Sequence, residues 1–211
     1  MSELDQIAAE VKVCQRCPLA RGRTNAVPGE GPANAEIMFI GEGPGFHEDR
    51  QGRPFVGASG KLLEDLLGSI GMTRDQVFIA NVIKCRPPNN RDPLPAEIEA
   101  CTPYLDRQEE VLAPRIVVTL GRFSMQRYFP GQSITRIHGQ VKRKGDTAYV
   151  PMFHPAAALR NPKWMTEMRA DFARLPALLE ELRSANSAAA PEIAEESAAP
   201  PPGDFEQLTL F

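Results

Sequence analysis

Ile37-Met38-Phe39-Ile40-Gly41-Glu42-Gly43-Pro44-Gly45-Phe46-His47-Glu48-Asp49, continuing to Arg53-Pro54-Phe55-Val56-Gly57, is the stretch around which the chain is organised. Four apolar residues with β-branched ends fit a strand covered on both faces, and the Gly/Pro run after them makes a tight turn at the strand's carboxyl end. Open α/β sheets bind ligands at that end. Three glycines around Pro44 leave the backbone bare for a flat ligand, while Glu42, Glu48 and Phe55 offer two carboxylates and an aromatic face. That combination suits a nucleobase. The turn has neither the G-x-G-x-x-G spacing that opens a dinucleotide-binding helix nor the G-K-[ST] ending of a phosphate loop. By itself it also fits a plain connector, so the reading rests on what accompanies it.

Upstream, Leu4, Ile7, Ala8 and Val11 recur at helical spacing over residues 3 to 13 and deliver the chain to Cys14-Gln15-Arg16-Cys17. The other two cysteines are Cys85 and Cys101. The pattern is C-x2-C, a gap of 67 residues, then C-x15-C. Four cysteines without a secretion signal point to metal ligation rather than disulfides, and four thiolates accept either zinc or an iron–sulfur cluster. One C-x2-C with two distant single cysteines fits a cubane more easily than paired zinc knuckles.

Downstream, residues 58 to 70 place Leu62, Leu63, Leu66, Leu67 and Ile70 on one helical face before a Gly71 stop, and residues 77 to 84 read as a second strand. Strand, helix and strand in that order make a right-handed crossover and a parallel sheet. Asn81 sits among apolar neighbours near that strand's carboxyl end, either as a satisfied core amide or as a ligand reader. Residues 86 to 94 are turn chemistry, 95 to 112 a helix holding Cys101, 116 to 121 a third strand and 122 to 129 a short helix. Residues 134 to 144 read as irregular or hairpin-like, 149 to 153 as a fourth strand and 163 to 183 as a closing helix. The fourth strand delivers His154-Pro155 to the same edge as Glu42 and Asn81, at a loop root where geometry is fixed.

The 211 residues, 42% hydrophobic and 24% charged, suit one globular domain with an appendage. No apolar run approaches a membrane span and the first residues carry no secretion signal, so a cytoplasmic monomer is expected. The net charge of -3 conceals an asymmetry, because five acids and no basic residue follow Arg183; without them the body carries 24 basic against 22 acidic residues. A mildly basic body is compatible with DNA. Two basic groups stand out, Arg16 with Arg21 and Arg23, and Lys84 with Arg86 and Arg91; each also reads as an ordinary solvated face.

Taken together, Gly41-Glu42-Gly43-Pro44-Gly45, Gly52-Arg53-Pro54-Phe55-Val56-Gly57, Asn81-Val82-Ile83-Lys84-Cys85-Arg86-Pro87-Pro88, His154-Pro155 with Leu159-Arg160, and the four cysteines resemble the family 4, iron–sulfur branch of the uracil-DNA glycosylase superfamily over residues 4 to 183. The resemblance implies an α/β fold of three layers with a central four-stranded parallel sheet, a [4Fe–4S] cluster on Cys14, Cys17, Cys85 and Cys101, and hydrolysis of the glycosidic bond of deoxyuridine in DNA. It assigns His154 as donor to the departing uracil, Asn81 to the uracil edge, Phe55 to stacking on the ring and Glu48 to the space of a thymine methyl. Gly41 and Gly43 become part of the base pocket. Gly43 stands where the best-known branch carries a water-polarising aspartate, which leaves Glu42 as the nearest substitute. Leu159 becomes a wedge, with Arg160 and Arg86 on DNA. A covalent uracil-trapping relative is one rival reading, although His138 lies after the third strand rather than the second. A non-catalytic cluster-bearing repair or replication adaptor is another.

Residues 185 to 203, rich in Ala, Pro, Ser and Glu, cannot bury enough apolar surface to fold and read as a disordered linker after a domain of residues 1 to 184. Residues 204 to 211 restore large apolar side chains. Gln207-Leu208-Thr209-Leu210-Phe211 resembles the pentapeptide that binds the bacterial β sliding clamp, in which Gln fixes register and the Leu-Phe pair fills an apolar pocket.

Overall fold

A computed structural model describes residues 2–188. The chain opens with helix α1 (Glu3–Val13), whose start is fixed by a capping box: Ser2 Oγ accepts from the Asp5 N–H and the Asp5 carboxylate accepts from the Ser2 N–H. Strand β1 (Ile37–Gly41) follows, buried at every position. Helices α2 (Phe46–Gln51) and α3 (Ala58–Ser69) lead to β2 (Phe78–Asn81), and α4 (Pro95–Leu112) leads to β3 (Ile116–Leu120). Then come α5 (Arg122–Tyr128), α6 (Ile134–Ile137), β4 (Lys142–Lys144), β5 (Thr147–Met152), α7 (Pro155–Ala158), α8 (Pro162–Ala173) and α9 (Leu175–Ala188).

The sheet order is β2-β1-β3-β5-β4. The first four strands are mutually parallel, and β4 pairs antiparallel with β5. The chain leaves β1 for one side and returns to its other side as β3. Right-handed crossovers in opposite directions put α3 and α4 on opposite faces and open a crevice at the carboxyl ends of the strands. Side-chain alternation along β1 divides the core accordingly. Ile37 and Phe39 pack with Leu63, Leu66, Met168 and Phe172, whereas Met38 and Ile40 pack with Ile7, Val11, Tyr104 and Leu105. The expected three-layer α/β/α fold is therefore present.

Four expectations are corrected in detail. The sheet has five strands rather than four, because Lys142–Lys144, exposed throughout, folds back on β5 as the arm of a hairpin. Too short and too charged to show an apolar alternation, it forms because β5 offers a free edge. The closing helix is two helices: Pro176 lacks the N–H that would bond the Phe172 carbonyl, so the helix breaks at Arg174 and restarts as α9. Helix α9 also runs to Ala188, beyond the expected stop at Arg183, and the rest of the expected linker and the whole of residues 204 to 211 lie outside the described residues. Finally, the loop after β1 contains α2, a helix of six residues with Gly45 and Gly52 as its caps.

Candidate active site

At the carboxyl edge of the parallel strands lies a cavity of about 460 Å³, walled by Glu42, Gly45 and Glu48 from the segment after β1, Phe55 and Ser59 from the approach to α3, and Asn90, His154, Ala156, Ala157 and Arg160 from later loops. The volume suits a single nucleobase with its sugar.

His154 is the N-cap of α7, and its Nδ1 accepts a hydrogen bond of 3.1 Å from the Ala156 N–H. That bond fixes the tautomer. With Nδ1 an acceptor, the neutral ring carries its proton on Nε2 and can donate to a bound ligand. Burial pushes the imidazole pKa down to about 4, against the opposing pull of Glu48, so the ring is neutral at physiological pH. Its plane lies stacked beside Phe55, with ring centroids 5.7 Å apart.

Phe55 holds a left-handed backbone at φ 51, a strained choice for an aromatic residue. Arg74 holds it there. The guanidinium donates to the Phe55 carbonyl at 2.8 Å and also to the Pro54 carbonyl, while its Nε is bound to Glu30. Glu48 is tied to the same loop: its Oε1 accepts from the N–H groups of Val56 at 3.1 Å and Gly57 at 3.2 Å. Glu42 has a raised pKa, first from burial and then from the neighbouring Asp92, with Arg122 pulling the other way.

Asn81 is 2% exposed and lies beneath the cavity wall. Among the described residues no hydrogen bond reaches its carboxamide, yet Thr119 Oγ1 is the single fully buried side-chain polar atom there without a partner. The Asn81 carboxamide is therefore buried beside Gly41 and Phe55 and is not itself part of the cavity wall. Gly41 permits this arrangement, because a Cβ on it would meet Asn81 Oδ1 at 2.4 Å. Gly43 has a different reason. A Cβ there would strike Ile83 Cγ1 at 2.6 Å, so its packing partner is a core side chain, and neither glycine is on the cavity wall.

The basic groups are dispersed by the fold. Lys84 is 1% exposed and points inward, where its Nζ donates to the Asn81 carbonyl at 2.9 Å and to Gln108 Oε1 at 2.7 Å. Burial pushes its pKa down to about 7. Arg91 pairs with the buried Glu97, and Arg23 donates to Cys85 Sγ. Arg86 stays at the site by donating to Asn90 Oδ1, Arg160 lines the cavity, and Leu159 is 49% exposed beside it. His138 is elsewhere: it pairs with Asp171 at 2.8 Å, lies tilted against the Phe153 ring and takes no part in the cavity wall.

The four cysteines belong to the hydrophobic cluster that α1 and α4 form on one face of the sheet, Cys85 and Cys101 buried in it and Cys14 and Cys17 half-buried at its margin. Three of the sulfurs face donors: the Arg16 N–H on Cys14, the Arg23 guanidinium on Cys85 and the Lys84 N–H on Cys101. Such donors suit thiolates that carry negative charge. As free thiols both buried cysteines have raised pKa values, Cys101 up to about 11, with burial the main cause. Among the described residues no three His, Cys, Asp or Glu side chains are grouped for a single metal ion. Ligands of one tetrahedral zinc stand about 3.8 Å apart, given a bond of about 2.3 Å, whereas a cubane spreads its four thiolates over different irons.

Ser59, Asn90, Ala156 and Ala157 were not legible as site residues. Asn89 and Asn90, both with positive φ, are a turn pair that the Pro-Pro-Asn-Asn sequence signals, but nothing in it says which way the amide points.

A parallel sheet with an aromatic ring and a donor imidazole on a cavity at its carboxyl edge, and a buried carboxamide beside them, defines a base-binding α/β protein. Residues 28–180 match the family model of the uracil DNA glycosylase superfamily. Proteins called type-4 uracil-DNA glycosylase are similar over most of their lengths: that of Sulfurisphaera tokodaii is 50% identical over 83% of this chain and 84% of its own, and that of Saccharolobus solfataricus 49% over 83% and 86%. The protein of the same name from Archaeoglobus fulgidus is 47% identical over 83% of this chain and 92% of its own. The chain belongs to the uracil-DNA glycosylase superfamily and, within it, to the type-4 family.

Proposed function

We propose that the protein flips uracil out of DNA and hydrolyses its N-glycosidic bond, the step that initiates base excision repair. The observation that carries this reading is the His154 Nδ1 contact with the Ala156 N–H, which leaves a neutral Nε2–H donor beside the Phe55 ring. Uracil leaves as an anion when the C1′–N1 bond breaks and its electron pair passes to the base. His154 stabilises the developing oxyanion without giving up its proton. Asn81 offers a donor and an acceptor to the uracil edge, Phe55 stacks on the ring, and Glu48, held against the Val56 and Gly57 amides, fills the space a thymine methyl would need. Glu42 orients the water that adds to C1′ and takes the proton that the water loses, and exclusion of bulk water from the cavity strengthens these dipoles. Leu159 fills the gap left by the base, with Arg160 and Arg86 on the strand.

The test is a uracil-containing oligonucleotide incubated with pure protein and then treated with alkali. Scission at uracil and at no other base is expected. Tight binding with no release favours the non-catalytic adaptor, and a gel-stable adduct lost in His138→Ala favours the covalent-trapping reading.

We also infer that Cys14, Cys17, Cys85 and Cys101 hold a [4Fe–4S] cluster, supported by the place of all four in one hydrophobic cluster and by the donors that face three of their sulfurs. When bound, the cluster supplies a cross-link between three distant segments beside the DNA-facing loops. No helix of the described residues is long and apolar enough to cross a membrane, and four cysteines that form no disulfide suit the reducing cytoplasm we infer for the protein.

The third element of the reading divides the chain into a catalytic domain, a linker and a clamp-binding peptide. Gln207, Leu208, Leu210 and Phe211 carry it by residue type alone. A peptide of residues 204 to 211 is expected to bind the β clamp with micromolar affinity, and Phe211→Ala to abolish this without altering excision of naked oligonucleotides. Equal clamp affinity for the full chain and for a chain ending at Arg183 removes this part of the reading.

A further inference from the structure

Phe46 stands at the lip of the cavity, one residue beyond Gly45 of its wall, with 45% of its surface exposed. Two cations hold the ring. Arg86 Cζ is 5.2 Å and Arg50 Cζ 5.6 Å from its centroid, and His47 meets it edge-on at 5.4 Å. Arg86 also connects the ring to the cavity, because its Nε donates at 2.7 Å to Oδ1 of Asn90, a wall residue. Neither Arg50 nor Arg86 has a carboxylate partner among the described residues, in contrast to Arg53, Arg74 and Arg91. An exposed aromatic flanked by two guanidiniums without carboxylate partners among the described residues is therefore continuous with the pocket for the flipped base.

We propose that Phe46 is the stacking platform for the nucleobase next to the flipped uridine, with Arg50 and Arg86 moving from its ring to the flanking phosphates. The inference rests on the uracil-excision reading and extends it to the neighbouring nucleotide. A strand that delivers one base into the cavity must bring the adjoining base and its phosphates across the lip. Exposed cation–π contacts are weak, so a guanidinium gives up the ring readily for a phosphate, and the π face it leaves accepts any base. Such a platform adds affinity without sequence preference. It also favours unpaired DNA, in which the neighbouring base is free to leave its own stack.

The experiment uses the full chain and single-stranded oligonucleotides carrying a tetrahydrofuran abasic analogue, with 2-aminopurine on one side of it or the other. Phe46→Ala is expected to weaken binding about tenfold, Phe46→Trp to retain it, and Phe46→Leu to fail to restore it, since stacking requires an aromatic face. Quenching of 2-aminopurine on one side is expected for the wild type and Phe46→Trp and is lost in the other two. Arg50→Gln lowers the salt dependence of binding by about 0.7 in log–log slope, the value for one phosphate contact on single-stranded DNA. Phe46→Leu binding as tightly as wild type overturns the platform, as does unchanged quenching in Phe46→Ala; if the wild type still releases uracil in those cases, the excision reading stands alone. Wild-type protein that releases no uracil removes both.

Discussion

Asn81 and Phe55 meet over a missing side chain: the Cβ that Gly41 lacks would stand 2.4 Å from Asn81 Oδ1 and 2.7 Å from Phe55 Cε2. Neither neighbour can retreat easily. Asn81 ends a buried strand, and Phe55 is pinned through its carbonyl by Arg74. Gly41→Ala is therefore expected to cut single-turnover uracil excision about a hundredfold or more while costing about 1–3 kcal/mol of stability. Rapid-quench assays and urea unfolding measure the two, and a fully active Gly41→Ala would show that the close approach has no catalytic meaning.

His154 gives two linked expectations. His154→Ala should reduce excision by roughly a hundredfold, the usual effect of losing one preorganised donor. Its folded pKa is depressed to about 4, below its value of about 6.5 in the unfolded chain. Between those values the unfolded state binds more protons, so the stability this group contributes is complete above about pH 6.5 and is lost as pH falls toward 4. Unfolding curves of His154→Asn across that window should be flatter with pH than those of the wild type.

Glu42 should set the acid limb of the single-turnover rate, because His154 does not take up a proton until about pH 4. Its raised pKa places that limb above the ordinary glutamate value of about 4.3, with the rate rising as the carboxylate forms. Asp92→Asn removes a like charge and releases Arg122 from its ion pair, so the limb should move to lower pH. A limb that stays in place in both Asp92→Asn and Glu42→Gln would assign it to another group.

Anaerobically purified protein is expected to be brown, with iron and acid-labile sulfide in about equal amounts. Cys101→Ala should lose both and loosen residues 14 to 23 and 85 to 91, read by hydrogen exchange, before the packing around Phe55 is disturbed. Zinc in stoichiometric amount without iron would contradict the cluster.

Much of this was legible in one dimension. An unbroken apolar run at residues 37 to 40, a leucine face over residues 62 to 67, and turn chemistry after each strand can be satisfied only by a buried parallel sheet with covering helices, because period and burial are local properties. The place of His154 on the cavity wall was legible for a related reason, since a polar residue at the end of an apolar strand has few places to go. Contacts between distant segments were not. Lys84 and Arg86 are two residues apart, yet one is sealed in the core on Gln108 and the other faces the cavity through Asn90. The sequence by itself determined the layered α/β architecture and the residue types gathered at its carboxyl edge. Only the tertiary structure decided that an arginine from before β2 would hold Phe55 in a left-handed turn, that α7 would fix the tautomer of His154, and that three separate segments would place their four cysteines in one hydrophobic cluster, because each depends on where a side chain meets its partner in three dimensions.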